Sequence, residues 1–81
     1  MESTATIYGS ERCKNCTMAK EYLKQRGIEF NFHDVTKDKE KFKEMKEISG
    51  GAHSIPVIVA CHSVIIGFEK EVLDKALQCL D

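Results

Sequence analysis

The spacing of apolar residues along the chain alternates between the periods of strands and helices. In ATIYGS, Ile7 and Tyr8 stand among small and β-branched residues, which predicts a short buried strand with a loop behind its Gly-Ser end. Residues 16–25 then carry an apolar stripe at helical spacing, and Gly27 supplies the stop. The stripe consists of Met18, Ala19, Tyr22 and Leu23. The chain is therefore predicted to begin with a strand, a cysteine-containing loop and a helix.

The middle of the chain predicts a second strand and a second helix. GIEFNFHDV alternates apolar and polar residues, which is the period of a half-buried strand. The apolar set is Ile28, Phe30 and Phe32, and the polar set is Glu29, Asn31 and His33. The segment TKDKEKFKEMKEISGG has apolar residues at three-residue spacing, which predicts a helix ended by its two glycines. These apolar residues are Phe42, Met45 and Ile48, and the charged residues around them are interpreted as a solvated face.

The last third of the chain predicts a β-hairpin and a final helix. SIPVIVACHSVIIGF contains two apolar runs, residues 55–60 and 64–66, and the CHS between them is short enough for a hairpin turn. The only proline of the chain, Pro56, opens the first run. EKEVLDKALQCLD follows with one apolar face. That face consists of Val72, Leu73, Ala76, Leu77 and Leu80.

The predicted order is βαβ, helix, β-hairpin, helix, which is an α/β fold class. A right-handed crossover makes the first two strands parallel, and the hairpin adds antiparallel strands to the same sheet beneath the helices. With 81 residues, 42% of them hydrophobic and 31% charged, we expect one compact monomeric domain spanning residues 1–81. The formal charge of -1 gives no broad attraction to phosphate backbones or anionic lipids, so we expect neither nucleic acid nor membrane as a partner.

The interpretation of the four cysteines depends on the cellular compartment in which the protein is expected to work. MESTATIYGS has no basic stretch followed by a long apolar run, and no segment approaches the roughly 18 apolar residues of a membrane span. We therefore expect a cytoplasmic protein. In that compartment, four cysteines indicate redox catalysis or metal binding rather than a structural disulfide framework.

Two of these cysteines form a Cys-x-x-Cys pair at the predicted start of the first helix. A cysteine reacts as its thiolate, and Cys13 would lie beside unpaired N–H groups and the positive end of the helix dipole. Arg12 and Lys14 add two neighbouring cations. Cys16 follows nearly one helical turn later, on the same side. This spacing predicts Cys13 as the nucleophile and Cys16 as the thiol that resolves a mixed disulfide.

A metal or iron–sulfur cluster site is the alternative interpretation of the pair, because Cys-x-x-Cys is also a common metal-binding motif. The residues that could complete such a site are His53, Cys61, His62 and Cys79, none of which repeats the spacing. Cys61 and Cys79 are each interpreted as small hydrophobic residues, with regulatory oxidation as the alternative. His33, His53 and His62 are expected on the surface or in loops, and Tyr8 and Tyr22 in the core.

Three motifs together resemble the glutaredoxin-like proteins of the thioredoxin fold, over essentially the whole chain. They are CKNC after the first strand, SIP before an apolar strand, and IIGFEKEVL leading into the last helix. The resemblance implies a four-stranded mixed sheet in the order 4-3-1-2 with three helices around it. It also implies that the Ile55–Pro56 bond is cis and that the backbone of Ile55 pairs with an extended sulfur substrate.

The chain also differs from the glutathione-binding members of that family, which have K-P-x-C-P-Y-C at the site. Ser10 replaces the lysine, Lys14 the proline and Asn15 the tyrosine, and GFEK at 67–70 replaces a Gly-Gly followed by acidic residues. The expected substrate-binding residues are Arg12, Lys14, Ile55, Pro56, Gly67, Phe68 and Glu69. The sequence thus predicts a thiol-disulfide oxidoreductase that needs no cofactor and reduces protein or mixed disulfides. Its electron donor would be a thioredoxin-reductase-like protein, which the differences favour, or glutathione.

Overall fold

The computed structural model describes residues 4–51, 54–60 and 63–78, and the elements of this part of the chain follow the predicted order. They are β1 (Thr4–Gly9), α1 (Lys14–Gln25), β2 (Glu29–Asp34), α2 (Lys39–Ser49), β3 (Val57–Ala60), β4 (Ser63–Ile66) and α3 (Lys70–Leu77). Helix α1 begins at Lys14, earlier than the predicted residue 16, because Cys13 caps it. The predicted residues His53, Cys61, His62, Cys79 and Leu80 lie outside the described residues.

The strands form one mixed sheet in the order β2-β1-β3-β4. This is the expected order 4-3-1-2 read from the other edge, and it confirms the α/β, thioredoxin-like fold class. Strands β1 and β2 are parallel, with Ile7 opposite Phe32. Strand β3 is antiparallel to both of its neighbours, with Val57 between Tyr8 and Ile66. The end of β1 and the start of β3 therefore meet at the same edge of the sheet, where the cysteine loop begins.

Two apolar clusters pack on the sheet. The larger one joins β1, β3 and β4 to α1 and α3, and its buried members are Ala5, Ile7, Ala19, Leu23, Ile28, Ile58, Ala60, Ile65, Leu73 and Leu77. The smaller one consists of Tyr8, Val35, Met45 and Val57, with Phe42 of α2 packed against it. The alternation predicted for β2 is confirmed from Glu29 to Phe32, since Phe30 and Phe32 pack against the larger cluster while Glu29 and Asn31 are exposed. It ends at His33, which is half-buried.

Three residues that the helical pattern placed on apolar faces are instead exposed. Met18 is 41% exposed, Ile48 38% and Val72 45%. A helix on a four-stranded sheet buries only the middle of its apolar stripe, so side chains at the margin stay in contact with solvent. Gly50, with φ of 74°, ends α2 as the sequence predicts. No helix within the described ranges is long and apolar enough to cross a membrane.

Candidate active site

The loop that carries the first cysteine is a tight turn closed by Ser10. The backbone N–H of Cys13 donates to the Ser10 carbonyl oxygen at 3.2 Å, and the Ser10 Oγ accepts from the Arg12 N–H, also at 3.2 Å. Ser10 is only 7% exposed, so its hydroxyl is used inside the turn. These bonds bring the chain from the end of β1 directly into the first turn of α1.

Cys13 is the N-cap residue of α1, and its sulfur takes the place of the oxygen that usually caps a helix. Its Sγ accepts the backbone N–H of Cys16 at 3.3 Å. The Thr17 N–H and hydroxyl both donate to the Cys13 carbonyl oxygen, at 3.1 and 3.2 Å. The first turn of α1 contains no acidic residue. A negative charge on this half-buried sulfur is therefore stabilised by an N–H donor and by the helix dipole.

Cys16 lies in a different environment, although it is only one turn away. Its side chain is fully buried, with 0% exposure. Burial raises the pKa of the Cys16 thiol to about 12, and a side-chain hydrogen bond with Cys13 contributes to the rise. A backbone hydrogen bond with Ser10 and the positive charge of Lys20 act in the opposite direction. At neutral pH the structure thus holds a protonated thiol behind the more exposed sulfur of Cys13.

The pocket around the Cys16 sulfur is built from three elements. Gly9 ends β1 so close to it that a Cβ added there would lie 2.4 Å from the Cys16 Sγ. The ring of Phe32 on β2 also borders Gly9, with its Cε1 3.5 Å from the same Cβ position. The Lys20 ammonium lies over this ring, 4.2 Å from its centroid. The sequence analysis missed these contacts; the one local signal was a glycine at a strand end, which often marks a close approach.

The proline and glycine motifs meet at the same edge of the sheet as the cysteine loop. The Ile55–Pro56 bond is cis, which confirms the expectation from the family resemblance. The Gly67 N–H donates to the Pro56 carbonyl oxygen at 2.7 Å. Pro56 is fully buried, while Ile55 is half-buried and packs against the smaller cluster. Of this pair, Ile55 is therefore the residue with surface available at the sheet edge.

Phe68 and α1 form a shallow groove that extends from the site. The ring of Phe68 meets Tyr22 edge to face, with centroids 5.9 Å apart and an interplanar angle of 74°. Tyr22 is half-buried rather than core, and its hydroxyl bonds Asp74 of α3. The groove encloses about 210 Å³ and is lined by Thr17, Met18, Glu21, Tyr22, Gln25, Phe68 and Lys70. The exposure of Met18 belongs to this feature, since its thioether forms part of an adaptable apolar wall.

The charged residues predicted for the site lie around it in exposed positions. Arg12, Lys14 and Glu69 are all exposed. Arg12 borders a second cleft on the other side of the cysteine loop, where Lys37 forms an ion pair with Glu11 at 3.4 Å. Glu69 is the N-cap residue of α3 and makes no capping hydrogen bond through its side chain. Arg12 and Lys14 flank Cys13 in the sequence, and all three charged side chains are open to solvent rather than enclosed in a pocket.

A hydrogen-bonded pair of polar side chains, which the sequence analysis missed, lies on the opposite face of the sheet. The Tyr8 hydroxyl donates to a Glu44 carboxylate oxygen across 36 residues of sequence. Burial raises the pKa of Tyr8 to about 12, and the bond to Glu44 adds to the rise. His33, expected on the surface, is half-buried with its ring centroid 5.5 Å from that of Tyr8. Within the described part of the chain, no group of three or more His, Cys, Asp or Glu side chains could hold a metal ion.

Comparison with known proteins relates this geometry to one family. The family model described as Glutaredoxin matches residues 5–65. An uncharacterized glutaredoxin-like 8.6 kDa protein in the rubredoxin operon of Clostridium pasteurianum is 35% identical over 75 residues, which cover 89% of this chain and 95% of that protein. Glutaredoxin grx-1 from Archaeoglobus fulgidus has a TM-score of 0.83 at 26% identity, covering 91% and 85% of the two chains. NrdH-redoxin from Escherichia coli, at 24% identity, shares the fold with a TM-score of 0.79 over 89% and 92%.

Proposed function

Since this chain belongs to the glutaredoxin family of thiol-disulfide oxidoreductases, we propose that Cys13 and Cys16 are its redox-active dithiol and that it reduces protein or mixed disulfides. The observation that carries the proposal is the unequal placement of the two sulfurs. Cys13 caps α1 with its sulfur accepting a backbone N–H, and Cys16 is buried one turn behind it. A dithiol that works as a reductant fits the reducing cytoplasm expected from the sequence.

The reaction has two exchange steps. In the first, the Cys13 thiolate attacks one sulfur of the substrate disulfide, the S–S bond breaks, and one substrate sulfur leaves as a thiolate. In the second, Cys16 gives its proton to solvent and its thiolate attacks the Cys13 sulfur, so that the bond between Cys13 and the substrate sulfur breaks. The Cys13–Cys16 bond forms, and the remaining substrate sulfur leaves as a thiolate that takes up a proton. The substrate gains two electrons and the protein is left oxidised.

The edge of the sheet beside Cys13 is the place where we expect an extended substrate to bind. The cis peptide before β3 and the turn after β4 lie together there, joined by the bond from Gly67 to Pro56. A substrate backbone would pair with the backbone of Ile55 as a short added strand. Because Pro56 is buried, its contribution would be to hold Ile55 in place rather than to contact the substrate over a large area.

We further propose that the electron donor is a protein reductase and that glutathione is a slow substitute. Glutathione carries two carboxylates and an ammonium, so its site needs charged groups placed close to the thiolate. Ser10 is buried in the turn, and Arg12 and Lys14 are exposed on the rim. Phe68 instead lines an apolar groove along α1. Aromatic side chains and methionine are enriched at the cores of protein interfaces, which favours a protein partner on this side.

The dithiol mechanism is tested with Cys13→Ser and Cys16→Ser. We expect Cys13→Ser to abolish reduction of a protein disulfide, whereas Cys16→Ser still attacks and accumulates a mixed disulfide that intact-mass spectrometry detects. Brief alkylation of the reduced wild-type protein, followed by peptide mapping, should label Cys13 well before Cys16. Circular dichroism of both variants controls for folding. Earlier labelling of Cys16, or full activity of Cys13→Ser, would contradict the assignment.

The donor is tested by measuring the reduction rate of the oxidised protein with two systems. One contains NADPH and a thioredoxin-reductase-type flavoprotein, and the other contains glutathione with NADPH and its reductase. We expect the flavoprotein to act faster and Phe68→Ala to slow it more than it slows glutathione. Arg12→Ala is the matched rim variant. A clear advantage for glutathione that Arg12→Ala weakens would overturn the donor proposal and leave the dithiol mechanism intact.

A further inference from the structure

Gly9 differs from every other glycine in the described part of the chain. Gly27, Gly50, Gly51 and Gly67 all have positive φ and no atom within 4 Å of where a Cβ would stand. A glycine suits those positions because of their backbone conformation. Gly9 has no such φ and lies in a strand, where other residues are ordinarily preferred. Its neighbours, rather than its backbone, exclude a side chain at this position.

The neighbour that excludes a side chain is the sulfur of Cys16. A Cβ on Gly9 would lie 2.4 Å from the Cys16 Sγ and 3.2 Å from the Cys16 Cβ. Ordinary contact begins near 3.4 Å, so the sulfur would have to retreat by about 1 Å. It has little room to do so, because Cys16 has 0% exposure and is enclosed by the closely packed interior. The Cys16 sulfur therefore occupies the space that a side chain on residue 9 would need.

We propose that Gly9 is a positioning residue for the resolving thiol: the missing side chain leaves the space that holds the Cys16 sulfur in line for attack on Cys13. This inference rests on the proposed dithiol mechanism. In the second exchange step the Cys16 sulfur must approach the Cys13 sulfur opposite the leaving substrate sulfur. A side chain at position 9 displaces the attacking atom and weakens its hydrogen bond with Cys13, while the helix cap, which uses the Cys16 backbone N–H, and the leaving group stay in place.

The proposal predicts a selective kinetic defect in Gly9→Ala. The first step should be preserved, so the alkylation rate of Cys13 stays within about twofold of wild type, because its sulfur keeps the bond from the Cys16 backbone N–H. The second step should slow at least about tenfold, because a misplacement on the order of 1 Å can cost up to about a hundredfold in an oriented reaction. The mixed disulfide should then accumulate although Cys16 is present. Rapid acid quench with intact-mass analysis measures both steps.

The packing contact is tested separately from the chemistry by a double-mutant cycle with Cys16→Ala. Gly9→Ala should lower the Tm of the reduced protein by about 5–10 °C, the shift expected for overpacking in a domain of this size. In the Cys16→Ala background the sulfur is absent, and the same substitution should cost less than half of that shift. If Gly9→Ala fails to fold, a folded Gly9→Ala/Cys16→Ala protein supports the contact, and an unfolded one overturns it.

The outcomes separate this proposal from the mechanism on which it rests. Wild-type turnover by Gly9→Ala, or equal Tm losses in the two backgrounds, would overturn the role of Gly9. Failure of Cys16→Ser to accumulate a mixed disulfide would instead overturn the dithiol mechanism. In that case the double-mutant cycle still decides whether Gly9 and the Cys16 sulfur exclude each other.

Discussion

The surroundings of the two sulfurs come from different parts of the chain. The contacts of Cys13 are local: the carbonyl of Ser10, the N–H of Cys16 and the side chain of Thr17. The pocket of Cys16 is assembled from the end of β1, a ring on β2 and a lysine on α1. One helical turn separates a half-buried sulfur held by local hydrogen bonds from a fully buried sulfur held by tertiary packing.

The difference shows how one motif can place two sulfurs in different environments. A thiolate needs donors and positive potential, and the first turn of a helix supplies both without tertiary contacts. A thiol that should remain protonated until it is used needs exclusion from water, which only the assembled fold provides. Substitutions in the packed residues around Cys16 should therefore change the reactivity of Cys16 and leave that of Cys13 unaffected. The following predictions test this separation.

The largest effect is expected from Phe32→Leu, with Phe30→Leu as its matched control. Both rings pack against the larger cluster from the same face of β2, but only Phe32 borders Gly9. Each variant should lose about 1–2 kcal/mol of stability, as for the partial removal of a large buried side chain. Loss of the Phe32 ring should also lower the free energy of local opening around Cys16 by about 1.4 kcal/mol and speed its alkylation about tenfold. Peptide mapping after timed alkylation measures Cys13 and Cys16 together.

Phe30→Leu should leave the labelling ratio of the two cysteines near its wild-type value. Equal acceleration in both variants would mean that global stability, rather than the ring beside Gly9, protects the buried sulfur. Acceleration at Cys13 in Phe32→Leu would mean that the two environments are not separate.

A separate effect is expected on stability in alkaline solution, where it grows with pH and is small at neutral pH. The folded-state pKa of Cys16 is raised to about 12 from an ordinary value of 9.0. Above pH 9 the unfolded chain therefore loses this proton before the folded chain does, and stability present below pH 9 is lost as the pH rises towards 12. One such group lowers the free energy of unfolding by up to about 1.4 kcal/mol for each pH unit in this range. Urea unfolding of the reduced protein across this range measures the slope.

Cys16→Ala should reduce the loss of unfolding free energy that begins near pH 9. Tyr8→Phe is the control on the other face of the sheet, because the pKa of Tyr8 is raised from 10.0 to about 12 and its contribution begins one pH unit later. An unchanged slope in Cys16→Ala would show that the buried thiol is not held in its protonated form by the fold.

The contrast between local interactions and tertiary packing also explains how much of the fold and of the site can be predicted from the sequence. Element order and the placement of the cysteine pair at a helix start follow from local periodicity and motifs, and helix capping is itself a local interaction. The sheet order comes from the family resemblance that those motifs carry. The pocket of Cys16 brings together residues 9, 16, 20 and 32, and that pairing depends on the register of β1 with β2. The Tyr8 bond to Glu44 and the exposed margins of the helices likewise depend on packing across elements. Single-sequence patterns do not contain that information.

The smallest effect concerns Lys20, whose positive charge lowers the pKa of the Cys16 thiol while its ammonium lies over Phe32. Removing the charge in Lys20→Gln should raise that pKa, reduce the thiolate fraction and slow the second exchange step. The change should be about twofold to threefold, the size expected of one charge partly screened by solvent, and should diminish in high salt. Lys20→Arg keeps the charge and should remain near wild type. Lys24→Gln, an exposed position on the same helix, should change nothing. Equal slowing by Lys20→Arg and Lys20→Gln would mean that Lys20 acts through packing on the Phe32 ring. The surroundings of Cys16 would then affect its reaction through packing alone and not through charge.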